Sequence, residues 1–147
     1  DPLLREIAIL RVAARTRARY EWEQHVPIAR AVGASDGQIT ALEQATAAFG
    51  DAPPSALCPA GAPEEGCWSE RERAVLGFTD ALLRGGEISA EESAAIAAHL
   101  PPPQIVELVL AVGYYWMLGR LMVAADLDLD PPAGDRIVAQ VSARRTT

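Results

Sequence analysis

Three times in this chain a serine precedes, by three residues, a glutamine or glutamate that opens an apolar run. The pairs are Ser35 with Gln38, Ser69 with Glu72, and Ser89 with Glu92. Each reads as a capping box, in which the two side chains satisfy backbone N–H groups that a helix start leaves without partners. Three such starts, each followed by helical rather than alternating periodicity, point to an all-α fold. The opening segment agrees: within residues 3–16, Leu3, Ile7, Leu10 and Ala14 recur at spacings of four, three and four. A second helix is expected over 18–32, closed by Gly33. The third should run from Ser35 to about Phe49, and the fourth from Ser69 to the Gly85–Gly86 pair. A short fifth helix ends near Leu100. Prolines 101–103, tolerated in a first turn, then open a long apolar sixth.

With 147 residues, the chain is expected to form a single domain. Residues 50–68, rich in proline and small side chains, form the one long irregular loop in this reading. The LDLDPP stretch after Asp126 breaks the sixth helix, and a weak terminal helix is expected around 136–141. No internal repeat is evident. The chain opens on Asp1 almost directly into helical periodicity, which reads as a fragment lacking an N-terminal segment.

Composition narrows the function. All thirteen basic residues are arginine. Without lysine there is no side-chain amine for a Schiff base and no Walker-type phosphate loop. A net charge of −7 argues against a nucleic-acid partner, which needs a basic footprint. The most apolar stretch, 105–125, contains Glu107 and Arg120, so it is read as a buried helix of an oligomer rather than a membrane span. Two cysteines are too few for a disulfide scaffold, and the expected compartment is the cytoplasm.

The residues that carry chemistry concentrate in Arg19-Tyr20-Glu21-Trp22-Glu23-Gln24-His25-Val26-Pro27. Glu21 and His25, four apart, share one helix face. A carboxylate beside an imidazole orients the ring and fixes its tautomer, as a general base requires. The same spacing also describes an ordinary solvated pair that merely stabilises its helix. Glu6, fifteen residues before Glu21, joins the pair if the first two helices pack antiparallel. Two ligands at this spacing would make half a metal site, but no further histidine or cysteine stands at a partner spacing, so no metal is expected. His99, in the last turn of a helix, reads as structural.

These residues also carry a family resemblance. The run LREIAILRVAARTRARYEWEQHVPIARAVGASDGQITAL resembles the carboxymuconolactone decarboxylase family, which includes the alkylhydroperoxidase-D-like proteins. The likeness continues through WSERERAVLGFTDALL and QIVELVLAVGYYWMLGRLMVAADLDLDP. It implies an alkylhydroperoxidase-D-like helical domain of about six helices, assembled as a dimer, trimer or hexamer with active sites near subunit contacts. The peroxidase branch spaces a glutamate, two cysteines and a histidine so that Glu6 and His25 match. Its cysteine positions hold Ala18 and Glu21 here. A dithiol peroxidase needs one thiolate to attack and another to resolve the sulfenic acid, which these residues cannot supply. Cys58 and Cys67, nine apart in the loop, read as plain thiols or as a loop-closing disulfide. The decarboxylase branch, with Trp-Glu-x-x-x-His, is closer: Glu21 and His25 match it, although Tyr20 precedes Glu21 and Trp22 follows it.

The resulting expectation is a cofactor-independent lyase that decarboxylates a small organic acid or lactone by acid–base chemistry. His25 is the expected proton shuttle, Glu21 orients it and Glu6 completes the catalytic set. Arg15, Arg19 or Arg120 would grip the substrate carboxylate bidentately. Tyr20, Tyr114 and Tyr115 are hydroxyl candidates for the developing oxyanion, and equally read as packing residues. Neither cofactor nor metal is required when the substrate's own conjugation accepts the electrons. Three alternatives remain at this point. They are other acid–base chemistry such as isomerisation, dehydration or cyclisation; a hydroperoxide reductase, disfavoured by the missing thiols; and a non-catalytic oligomeric binding protein. Neither a nucleic acid nor a membrane is an expected partner.

Overall fold

A computed structural model of the chain describes residues 1–44 and 68–126. Those residues form six helices and no strand: α1 (Pro2–Thr16), α2 (Arg19–Val32), α3 (Asp36–Gln44), α4 (Glu70–Arg84), α5 (Ala90–Ala97) and α6 (Pro102–Ala124). Phe49, most of the irregular loop with both cysteines, and the expected helix at 136–141 lie outside the described residues.

The punctuation read from sequence acts where expected. Ser69 and Glu72, and Ser89 and Glu92, form complete capping boxes. Ser35 and Gln38 exchange the same reciprocal bonds at 2.9 and 3.2 Å. Gly33 ends α2 at φ 116°, and Gly85 follows α4 at φ 75°. The α1–α2 connection instead uses a non-glycine residue in the left-handed region, Arg17 at φ 58°. This tight turn folds α2 back along α1.

Helix α1 is the centre of the domain. Its Leu4, Ala8 and Val12 pack with Val75, Phe78 and Val112 on one side. Ile7 and Leu10 pack with Ala29, Leu42, Trp68 and Leu76 on another. A helix covered on nearly every side must also bury its polar positions. Arg11 is 1% exposed, and its guanidinium donates twice to Asp80 of α4 at 2.8 Å. The two-pronged pairing offsets desolvation of a charge that would otherwise be strongly unfavourable.

Residues 105–125, expected to be a buried helix of an oligomer, are only partly covered within one chain. Within one chain only the inner side of α6 packs, through Leu108, Val112 and Gly119. Val106, Leu110, Tyr114, Trp116, Met117 and Leu121 lie on its exposed side. Although α6 has the length and hydropathy of a membrane span, its packed side belongs to the core around α1.

Gly119 shows why that packing is close. A Cβ there would lie 2.8 Å from Glu21 Oε2 and 2.9 Å from the Ala18 Cβ. Alanine normally stabilises a helix interior by about 1 kcal/mol over glycine. Here overpacking of about 1–3 kcal/mol opposes that gain. We expect Gly119→Ala to lower the thermal midpoint, measured by circular dichroism, against the usual trend for a helical glycine.

Candidate active site

The α1–α2 turn brings two carboxylates and an imidazole together beneath α6. Glu6 faces inward from α1 and is 2% exposed. Its Oε2 lies 2.7 Å from His25 Nδ1, and its Oε1 accepts from Arg5 Nε at 3.0 Å. A carboxylate held on Nδ1 makes this the donor nitrogen and leaves Nε2 to accept or deliver a proton. The His25 ring meets the Tyr115 ring edge-on, with centroids 5.0 Å apart, and Tyr115 in turn contacts Tyr114 at 5.3 Å. Burial first, and then the Glu6 carboxylate, push the Tyr115 phenol above its ordinary range. It therefore remains a neutral hydroxyl donor at physiological pH.

Glu21 has a different place from the expected one. It does not hold the His25 ring; Glu6 does. Glu21 and His25 are four apart on α2, but Glu6 and His25 meet across two helices, and that crossing decides the partner. Glu21 is itself 2% exposed, and neither oxygen has a hydrogen-bond partner among the described residues. It lies against Gly119 of α6. Burial raises its carboxyl to about 7, so near neutrality much of it carries a proton. Ala18 and Glu21, at the two cysteine positions of the peroxidase branch, both border Gly119.

The sequence of α1 and α2 therefore builds a compact cluster of two carboxylates and an imidazole, and the same segment carries the family signal. Residues 1–58 match the sequence model of the carboxymuconolactone decarboxylase family. The match covers the first 58 of the 147 residues. No curated protein and no solved structure matches the chain. The matched segment contains Glu6, Glu21 and His25, whereas Tyr115 comes from α6, beyond it.

The arginines expected to grip a substrate are not gathered there. Arg15 lies two and a half helical turns from Glu6, hence on the opposite side of α1, and is 3.9 Å from Asp80. Arg19 is 78% exposed and pairs with Glu23 at 2.7 Å. Arg120 is exposed, on the side of α6 turned away from Tyr115. Tyr20, five residues from His25, occupies another face of α2, and Tyr114 is largely exposed. The cation next to the cluster is Arg5. Sequence pattern gave no reason to select it, because neighbours at i,i+1 on a helix do not face one another. Among the described residues, no group of three or more His, Cys, Asp or Glu side chains is arranged to hold a metal ion.

Proposed function

We propose that this chain is a cofactor-independent acid–base enzyme that decarboxylates a small organic acid or lactone, with His25 as the proton shuttle. The observation carrying this reading is the 2.7 Å contact between His25 Nδ1 and the buried Glu6 carboxylate. Loss of carbon dioxide breaks a carbon–carbon bond and leaves its electron pair on the substrate. A conjugated carbonyl in that substrate takes the pair as an enolate, which then requires a proton at carbon. His25 delivers that proton through Nε2, while Glu6 holds the ring and stabilises its protonated form. Tyr115 donates to the enolate oxygen, and a preorganised donor of this kind lowers the barrier without reorganising at the moment of reaction. Glu21, protonated in the neutral range, is a buried acid at the edge of the same cluster. Isomerisation of a related acid would use the same residues and differs only in what leaves.

The reading is tested by incubating the protein in deuterium oxide with a panel of unsaturated lactone acids. We expect carbon dioxide release, with deuterium placed on the carbon that lost it. Deuterium exchange without carbon dioxide release would replace decarboxylation by isomerisation. The absence of both across the panel would count against an enzyme.

The proposal extends to a cytoplasmic homo-oligomer. Eight large apolar side chains of α6 are between 39% and 66% exposed. Exposed apolar patches beyond a few hundred Å² are unusual on monomers, and a standard interface takes about 800 Å² from each partner. We expect Leu110→Glu combined with Met117→Glu to shift the mass measured by light scattering towards a monomer, with the helical spectrum retained.

A further inference from the structure

The two halves of α6 are held differently. The first half is anchored in the core, where Leu108 and Val112 pack with Leu4, Val12 and Val75. Beyond Val112, Gly119 is the one buried residue of the helix, and the second half meets α2 along a narrow seam. That seam has two contacts. The Glu21 carboxylate lies against Gly119, and the His25 ring meets the Tyr115 ring. Each contact is one turn from the other on both helices. Neither oxygen of Glu21 has a hydrogen-bond partner among the described residues, and its neighbours are already engaged. From α1, Thr16 Oγ1 borders the same point but donates to Val12 O at 2.8 Å. Glu6 is taken by Arg5 and His25. From α6, the Tyr115 phenol stays protonated through burial. Arg17, Arg19 and Arg120, the charged residues nearest in sequence to the seam, are exposed.

We infer that Glu21 is a proton-operated latch on α6. While its carboxyl is protonated, the second half of α6 lies on α2; loss of the proton lets that half swing away and carries Tyr115 off His25. A neutral carboxyl tolerates a seat against helix backbone and an alanine methyl. A carboxylate in that seat meets neither a cation nor a donor, and opening the seam returns it to water. The fold also supplies a hinge. Gly113 stands between Val112, the last core anchor, and Tyr115. It is exposed, and a Cβ there would meet nothing within 4 Å, so packing within the chain does not require glycine at this position. Glycine inside a helix makes it easier to bend or fray at that point. Burial raises the Glu21 carboxyl from 4.5 to about 7. Between those values the closed helix holds a proton that the open one lacks. Rising pH therefore favours opening, by about tenfold per unit, and the dependence ends above about 7, where both forms are ionised.

The test is amide hydrogen exchange on the full chain, read by NMR as protection factors at pH 6 and pH 8 with no substrate present. Over that range the amides of 115–124 are expected to lose protection by about tenfold, and those of 106–112 by less than about twofold. The nuclear Overhauser contact between the His25 and Tyr115 rings should weaken in parallel. Glu21→Gln, which keeps the shape and cannot ionise, should hold the protection of 115–124 within about twofold across the same range. Gly113→Ala stiffens the hinge and leaves the latch alone. It should raise the protection of 115–124 by about fivefold at both pH values while keeping the tenfold difference between them. Unchanged protection of 115–124 in the wild type would overturn the inference, as would an equal loss in both halves of α6. A tenfold loss that persists in Glu21→Gln would assign the titration to His25 and overturn it as well. No step uses turnover, so the latch is decided separately from the acid–base reading. A pH-dependent opening would stand in a protein that proved inactive, and proton transfer by His25 would stand with a rigid α6.

Discussion

Replacing His25 by asparagine is expected to lower turnover by about 100- to 10,000-fold, the range associated with loss of a positioned proton-transfer group. Asparagine keeps a polar side chain beside Glu6, so the buried carboxylate retains a hydrogen-bond donor and the fold should survive. Circular dichroism and light scattering on the same preparation establish that it does. Glu6→Gln should fall less far and in a different way. It removes the negative charge that stabilises the imidazolium but keeps an acceptor for Nδ1 at the 2.7 Å position. The expected signature is a reduced kcat at nearly constant KM, since Glu6 acts through His25 and not on the substrate. Turnover in His25→Asn within about tenfold of wild type would remove the imidazole from the mechanism.

Glu21→Gln is expected to change how stability depends on pH. The folded carboxyl titrates near 7, raised from 4.5 by burial. Below the unfolded value both states are protonated, and the group has no net effect. Between the two values the unfolded chain ionises while the folded one keeps its proton, so stability falls as pH rises. Above 7 both are ionised and the full penalty applies, on the order of 3 kcal/mol for a shift of this size. Glutamine has the same shape and no titration in this window. Urea unfolding at pH 5 and pH 8 should show the variant gaining stability relative to wild type between them. Equal pH dependence in the two proteins would mean that Glu21 finds compensation in the folded state. The gain should be smaller than the electrostatic penalty removed, because the amide's own polar atoms are also buried without partners.

Most of the fold was legible because helix signals are local. A serine and its partner three residues later sit within one turn, and the apolar period of α1 is visible in four residues. The long α6 was read correctly as a helix, and a single chain covers only one of its sides. Composition reports how apolar a segment is, but not which of its sides another segment covers. The site was half legible. Glu6 and His25 stood out through residue type and a resemblance in spacing, and the two now meet. Arg5 was missed because its bond to the adjacent Glu6 is not a contact that helical spacing predicts.

By itself, the sequence determined an all-helical chain without amine chemistry, with one histidine set among carboxylates, and with arginine as the available cation. These follow from residue type and from spacings no longer than a turn. Only the tertiary structure decided which carboxylate serves His25. Glu21 is adjacent on the same helix and Glu6 is nineteen residues away, yet the Arg17 turn and the packing of α2 against α1 give the ring to Glu6. The close approach of α6 at Gly119 then leaves Glu21 buried without a partner, which makes it a proton-holding acid. Each outcome depends on how helices cross, and crossing is fixed by the shapes of residues far apart in the chain.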